Sequence, residues 1–493
     1  MRTDLSKKSL SAVKWGASST VLRFGLQITA QAILARLLGP QAYGVFGAGL
    51  IIMALTSLLT DIGFSWNLLR KVDLSESDIQ FALTGQILFG VLLSILLYVG
   101  ADFLALHLTG EPVGWVIRLL AFSVIFNAAA STPSILLSRA LNYRDLGKSQ
   151  LVSYVAGYFV VGVPMAWADC GASSLVVAWL VQSLVRCWMV FRLCRLRWLP
   201  TFKHEAPRTF FADGLLVFFT NIVNWCAFNL DRVTVSRWMP SQALGIYNVS
   251  ANLAGTPNAV LLGAIQPVFM ATGARLQHVA SLRAAYTAIL RAALLFAPAF
   301  YLGLALGSQD LVHLLYGEKW VDAAPVLAIL FLGMPFFVFW SLSTPVLWNS
   351  GKSHQEALLQ LPILILAGLL YFVVSDAGLI ALAWAADLVL FLRATVILTA
   401  ASRSVALDWR ELLPAFWMGL AFLLVAAFVH WALTGMVVPG VSRLMASGIL
   451  TLLACVALLK SLPHRLSRDA IETIGHVSHR AACWLQGRAH AKV

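Results

Sequence analysis

A succession of apolar runs, each about twenty residues long and separated by short polar or Gly/Pro breaks, limits what this chain can become. At about 1.5 Å of rise per residue, a helix of that length crosses a hydrocarbon layer of about 30 Å. About fourteen such runs can be marked, near residues 12–36, 43–66, 81–106, 113–137, 150–168, 172–194, 211–238, 243–270, 284–306, 323–348, 355–375, 377–399, 412–434 and 440–460. Inside lipid such a run satisfies its backbone groups as a helix, so the expected fold class is an all-α polytopic membrane protein. Composition points the same way: 60% of the 493 residues are hydrophobic and 12% charged, with a mean hydropathy of +0.82. A soluble chain of this length does not carry such a balance. The basic segment Met1 to Lys14 precedes a run too long for a signal-peptide core, so it is expected to stay attached. Cys170, Cys187, Cys194, Cys226, Cys455 and Cys483 form no CxxC pair and argue for neither a disulfide framework nor a metal site.

The runs occur in two similar series. Ala35-Arg36-Leu37-Leu38-Gly39-Pro40-Gln41-Ala42-Tyr43-Gly44-Val45-Phe46 aligns without a gap on Ser236-Arg237-Trp238-Met239-Pro240-Ser241-Gln242-Ala243-Leu244-Gly245-Ile246-Tyr247, a displacement of 237 − 36 = 201. Gly110-Glu111 meets Gly317-Glu318 at 207, Ser131-Thr132-Pro133 meets Ser343-Thr344-Pro345 at 212, and Asp169, Gly171 and Arg186 meet Asp376, Gly378 and Arg393 at 207. Collinear matches with a slowly drifting offset indicate a tandem duplication. The first match reads as a tight turn between two spans, because Gly and Pro serve backbone geometry first. The second copy replaces Gly39-Pro40 by Pro240-Ser241, which leaves open whether the two turns bend alike.

A formal net charge of +13 would suggest nucleic acid in a soluble protein. Here it follows topology instead. With the N-terminus cytoplasmic, the connections on that side carry Arg70, Lys71, Arg139, Arg144, Lys148, Arg195, Arg197, Lys203, Arg208, Arg275, Arg283, Lys352, Arg403 and Arg410, while the opposite side holds little besides Lys319. This positive-inside bias places both termini in the cytoplasm and removes nucleic acid from the expected partners. The expected organisation is a first six-helix lobe at 1–194, a cytoplasmic loop at 195–210, a second six-helix lobe at 211–400, two extra helices at 401–460 and a basic amphipathic tail at 461–493. An even number of spans per lobe makes the repeats parallel, with a cavity between them. In the tail, His476, His479 and Cys483 lack a clear fourth ligand, so no metal site is expected.

The Arg36-Leu37-Leu38-Gly39-Pro40-Gln41-Ala42-Tyr43-Gly44 turn resembles the signature of bacterial polysaccharide transporters, the oligosaccharide flippases. These sit within the larger group of multidrug, oligosaccharidyl-lipid and polysaccharide exporters. Asp61-Ile62-Gly63-Phe64, Leu137-Ser138-Arg139-Ala140-Leu141-Asn142-Tyr143, Asn229-Leu230-Asp231 and Tyr316-Gly317-Glu318-Lys319-Trp320 carry the same resemblance over roughly residues 10 to 400. The resemblance implies a two-lobed transporter and not an enzyme. It implies a flippase that moves an undecaprenyl-diphosphate-linked oligosaccharide across the cytoplasmic membrane of a bacterium, for exopolysaccharide, capsule or O-antigen assembly. Expected partners are the lipid-linked oligosaccharide and membrane lipids, with a polysaccharide polymerase and export proteins beyond them.

Charged residues inside the spans mark candidate sites. Counting from the span ends at about 1.5 Å per residue places Arg186, Arg393, Arg291 and Arg23 in the cytoplasmic third of the membrane. Each costs about 2.5–3.5 kcal/mol at a span centre unless it snorkels, pairs or faces water. Asp231 and Arg232 lie near the midplane, where snorkelling reaches neither surface, and Asn221, Asn224 and Asp231 share one helical stripe. Asn248 and Asn252 continue the polar character in the next span. The plain alternative is an Asp231–Arg232 pair that satisfies itself. An arginine layer suits a diphosphate, since guanidinium groups match its shape and charge. Asp387 is the candidate for proton or sodium coupling, and no cofactor is expected.

Two other functions compete. A small-molecule exporter of the same fold would carry more acidic than basic groups in its cavity. A polytopic glycan-assembly enzyme would need a catalytic loop or a His/Asp constellation, and the outer loops here are short and the histidines scattered.

Overall fold

The computed structural model describes residues 2–61, 64, 68, 74–109, 112–196, 198–201, 207–273, 279–434 and 440–461. The tail beyond 461, with His476, His479 and Cys483, lies outside the described residues, as do Ile62-Gly63 and Gly110-Glu111. Among the described residues the long elements are all helices: α1 (Arg2–Leu38), α2 (Pro40–Asp61), α3 (Glu76–Val99), α4 (Gly114–Arg139), α5 (Tyr143–Trp167), α6 (Ala172–Cys194), α7 (Pro207–Trp238), α8 (Ser241–Gly273), α9 (Val279–Leu306), α10 (Ala323–Asn349), α11 (Ser353–Val374), α12 (Leu379–Ser404), α13 (Leu413–Thr434) and α14 (Val441–Ser461). Eleven candidate membrane spans are found among the described residues, one each in α1 to α6 and α9 to α13. The chain is thus an all-α, multi-pass membrane protein.

Local chemistry sets several helix ends. Ser75 and Asp78 form a reciprocal capping box that starts α3. Gly171 and Gly378, at φ +57° and +91°, turn the chain into α6 and α12, a conformation that suits glycine. The duplicated turn begins its second helix in the same register in both copies, because α2 starts at Pro40 and α8 at Ser241, 241 − 40 = 201. The bends themselves differ: Gly39 sits at φ +77°, while neither Met239 nor Pro240 takes a positive φ.

The helices pack as two compact units, Met1–Val249 and Ser250–Val493. In the first, α4 lies between α3 and α6. Gln86, fully buried on α3, accepts from the amide and hydroxyl of Thr132 at 3.1 and 2.6 Å and donates to Ser131 at 3.3 Å. Ser131 and Thr132, just ahead of Pro133 inside α4, therefore form an interhelical latch, since their hydroxyls meet a buried amide of the neighbouring helix. Within α5 the stretch Val155–Gly162 is π-helical, and a Cβ on Gly157 would strike the Ala178 carbonyl of α6. The start of the connection after α6 is strapped along α3: Leu199 N–H reaches Gln80 Oε1 at 2.9 Å, and Trp198 Nε1 reaches Thr84 Oγ1 at 3.2 Å. The first turns of α2 and α8 touch backbone to backbone at Gly44 and Gly245, where an added Cβ would strike the Ser241 and Pro40 carbonyl oxygens respectively.

In the second unit, Leu282, Tyr286, Leu290, Trp340, Val346, Leu347, Ala394 and Ile397 join α9, α10 and α12 in one core. Ser343 meets Tyr286 Oη at 2.7 Å, so the second Ser-Thr-Pro motif is also latched to a neighbouring helix. The two final helices are integral parts of this unit. α13 packs on α9 through Leu295, Ala299, Met418 and Phe422, with Gly419 against the Leu294 carbonyl. α14 is fastened at its start, where Arg443 donates to both oxygens of the buried Asp310 at 2.7 and 2.8 Å.

Candidate substrate site

The expected arginine layer resolves into different environments. Arg393 of α12 is 4% exposed. Its guanidinium lies 3.7 Å from the Trp340 ring centroid and donates to Gln360 Oε1 at 2.5 Å. Gln360 in turn donates to Glu356 at 3.0 Å, and Glu356 also accepts from Thr344 at 3.0 Å and Trp348 at 2.5 Å. The charge of Arg393 is thus answered by a carboxylate through an amide, inside the packed interior of α10, α11 and α12, and the guanidinium is withdrawn from open space. Arg291 of α9 donates through Nε to the backbone carbonyl of Glu411 at 3.0 Å, and Arg283 donates to the Glu411 carboxylate. Those two arginines hold the turn that leads into α13.

Arg23 of α1 and Arg186 of α6 belong to the same compact unit. Each is half-buried, and the charge of Arg23 acts on Arg186. Arg23 donates weakly to Gln150 Oε1 of α5 at 3.4 Å. The Nε atoms of both arginines and Oε1 of Gln182 are buried without a hydrogen-bond partner.

On α7, Asp231 is held by two bonds. Tyr247, fully buried on α8, donates to Oδ2 at 2.6 Å, and the Arg232 amide donates to Oδ1 at 2.8 Å. The carboxylate is therefore satisfied by more than the neighbouring arginine. Asn221, Asn224 and Arg232 are half-buried on α7. Asn248 is 8% exposed and fills the space beside Gly47, whereas Asn252 is exposed one turn later. Asp387 of α12 is 7% exposed; its Oδ2 has no hydrogen-bond partner, and the carboxylate occupies the space that a Cβ on Gly333 would need. Among the described residues no group of three or more His, Cys, Asp or Glu is placed to hold a metal ion.

Several members of these sites were not singled out in the sequence: Tyr247, Gln150, Gln182, Gln360 and Glu356. Their common signal is a polar side chain within or at the edge of an apolar run, without a charge sufficient to mark it, Glu356 excepted. That glutamate stands at the margin of its run and reads as an interfacial residue.

The fold and sequence have clear counterparts. The chain is 24% identical over 391 residues to the teichuronic acid biosynthesis protein TuaB of Bacillus subtilis, covering 77% of this chain and 80% of that one. It is 24% identical over 332 residues to the lipopolysaccharide biosynthesis protein WzxC of Escherichia coli, covering 66% and 67%. It is also 24% identical over 351 residues to the succinoglycan biosynthesis transport protein ExoT of Rhizobium meliloti, covering 69% of each. Its fold matches the lipid II flippase MurJ in an inward closed conformation, with a TM-score of 0.76 and 14% identity over 92% of this chain and 99% of that one. An inward-facing multidrug resistance transporter of the MATE family matches at a TM-score of 0.60 and 14% identity, over 78% and 94%. The polysaccharide biosynthesis protein family matches residues 33–325, which is 293 of 493 residues. With more than half its length so matched, and a transporter fold around the buried polar groups, the chain belongs to the polysaccharide biosynthesis protein family.

Proposed function

We propose that this protein is a flippase that carries undecaprenyl-diphosphate-linked oligosaccharide units from the cytoplasmic to the outer leaflet of a bacterial inner membrane, by alternating access. The product feeds exopolysaccharide, capsule or O-antigen assembly, with a polymerase and export proteins as downstream partners. The observation that carries this reading is a basic pair in the interior of the first unit: the charge of Arg23 acts on Arg186, whose Nε is buried without a hydrogen-bond partner, in a fold shared with a lipid II flippase. The match to WzxC and ExoT supports the same substrate class.

In this reading the chain crosses the membrane fourteen times with both termini cytoplasmic. Two parallel six-helix lobes, 1–194 and 211–400, alternate around the cavity, and α13 and α14 brace the second. Arg23, Arg186 and Arg232 serve the diphosphate, while Asn221, Asn224, Asn248 and Asn252 meet the glycan. Arg291 and Arg393 support the cavity wall through their contacts with Glu411 and Gln360. Asp387, whose Oδ2 has no hydrogen-bond partner, is the coupling group.

Deletion tests the function. Polymer should disappear from outside while completed lipid-linked units accumulate inside. Truncated glycans would point to an enzyme, and intact polymer with altered drug tolerance to a small-molecule exporter.

A further inference from the structure

α6 and α12 both begin after a glycine with positive φ, Gly171 and Gly378, and both are followed by a non-glycine residue at φ +52°, Arg195 and Ala406. The chain leaves the two helices by the same kind of turn and is then held in opposite ways. After α12, Val405, Leu407 and Leu412 are buried in the core of the second unit, and Glu411 is pinned by Arg283 and Arg291 of α9. After α6, none of residues 198–201 is buried, and Leu199 is 62% exposed. What attaches this segment to α3 among the described residues is polar: Leu199 N–H donates to Gln80 Oε1 at 2.9 Å, and Thr84 Oγ1 accepts from Trp198 Nε1 at 3.2 Å and from Thr201 N–H at 3.1 Å.

The two anchors are built to receive the segment. Gln80 and Thr84 stand one helical turn apart on α3, both buried, and Gln80 Nε2 donates to Glu76 Oε1 at 2.8 Å, which turns its carbonyl oxygen towards Leu199. The attachment is specific, because it matches two backbone N–H groups and an indole N–H to two acceptors. It is also weak against water. A buried apolar side chain resists leaving its core, whereas a hydrogen bond at the end of a helix is exchanged for one to solvent at small net cost. Segments with exposed side chains and few apolar contacts are the ones that open first. The connection after α12 is fixed by both criteria, and residues 198–201 are releasable by both.

We propose that residues 198–201 form a releasable clasp: they fasten the connection between α6 and α7 to Gln80 and Thr84 of α3, and they come away from α3 in each transport cycle. The connection leads into α7, the helix that carries Asn221, Asn224, Asp231 and Arg232. Holding it on α3 restrains the entry to that helix, and releasing it frees α7 to move. The link to a transport cycle rests on the flippase reading; the release itself does not.

The test uses the full-length protein. In detergent, the amides of Leu199 and Thr201 should exchange hydrogen about tenfold faster than that of Leu407, which donates to the Ser402 carbonyl at 2.9 Å in the counterpart connection. Thr84→Val, which removes the acceptor shared by Trp198 and Thr201, should speed exchange at residues 198–201 further and leave the unfolding temperature unchanged. In cells, bridging the paired changes Thr84→Cys and Thr201→Cys with a short thiol cross-linker should stop new polymer export, while each single change treated alike keeps it. Bridging Arg283→Cys with Glu411→Cys, which fixes the counterpart connection, should leave export as it was before bridging. Exchange at Leu199 and Thr201 as slow as at Leu407, or unmoved by Thr84→Val, would overturn the clasp. So would normal export from the protein bridged between α3 and residue 201, or an equal loss from the one bridged between 283 and 411. Deletion separates this from the functional reading: if deletion abolishes export but the protein bridged at 84 and 201 exports normally, the flippase stands and the clasp falls. If deletion leaves export intact, the flippase falls, and hydrogen exchange alone judges the release.

Discussion

Gly44 and Gly245 occupy matching places in the duplicated turn, and the contact between them makes a quantitative prediction. A Cβ on Gly245 would lie 2.8 Å from the Pro40 carbonyl carbon and closer still to its oxygen; a Cβ on Gly44 would meet the Ser241 carbonyl in the same way. Both obstacles are backbone, so no rotamer change relieves them. Gly→Ala inside a helix gains about 1 kcal/mol through propensity, whereas forcing a methyl group into a closed contact costs about 1–3 kcal/mol and sometimes more. Gly25 provides the control, since it lies within α1 with nothing within 4 Å of an added Cβ. The propensity gain is common to both positions, so the stability difference between Gly44→Ala and Gly25→Ala isolates the contact, at about 1–3 kcal/mol. Unfolding of the detergent-purified variants, followed by fluorescence and by loss of monodisperse protein, measures it. Gly44→Ala with Gly245→Ala should cost less than the sum of the single changes, because helices already parted by one methyl group accommodate the second. A Gly44→Ala protein as stable as Gly25→Ala would refute the backbone crossing.

Three further outcomes are expected. Glu356→Ala should destabilise the protein by about 3–5 kcal/mol, because it strands Arg393, Gln360 and Trp348 together; Glu356→Gln should cost less in the same unfolding assay. Tyr247→Phe removes the hydroxyl bonded to Asp231 Oδ2 and should cost about 1–3 kcal/mol, with Asp231→Asn in the same background recovering part of the loss. Asp387→Asn should change stability little, since Oδ2 has no partner to lose, yet transport in proteoliposomes should no longer respond to an imposed proton or sodium gradient; continued response would place coupling elsewhere.

Most of the helical architecture can be read in the chain because the membrane permits few alternatives. Apolar runs fix where helices cross, and Gly/Pro breaks fix where they stop, as at Gly39-Pro40 and Gly378. What escapes is set by contacts between helices. The π-helical stretch of α5 has no residue pattern of its own. The short helix Ser308–Tyr316 follows α9 directly. It lies outside every apolar run, and its Asp310 acquires meaning only when Arg443, 133 residues later, reaches it. The duplicated glycines read as turn residues because a sequence displays backbone freedom but not backbone proximity. Gly39 does serve a turn, whereas Gly44 and Gly245 serve an approach.

The candidate site shows the same division more sharply. Counting residues from a span end gives the depth of a charge, and depth identified Arg23, Arg186, Arg291 and Arg393 as groups that need an explanation. Depth says nothing about what lies opposite. Arg291 finds a backbone carbonyl, a partner that every residue carries and that no sequence pattern marks. Arg393 finds Gln360, an uncharged relay to a glutamate 37 positions before it in the chain (393 − 356 = 37). Arg186, placed alike along its own helix, keeps an Nε without a hydrogen-bond partner, and the charge that acts on it is that of Arg23. A glutamine is easily passed over in sequence because it neither repels lipid as strongly as an ion nor fixes a charge. Inside a helix bundle it decides whether an arginine is neutralised or left exposed to a ligand. If substrate binding requires an unneutralised cation, the informative residues are the partners that Arg186 lacks and Arg393 has. Introducing a glutamate at Gln182, four residues before Arg186, should then abolish binding of inorganic diphosphate while stabilising the ligand-free protein. Retained binding would mean that the arginine pair is not where the anion sits.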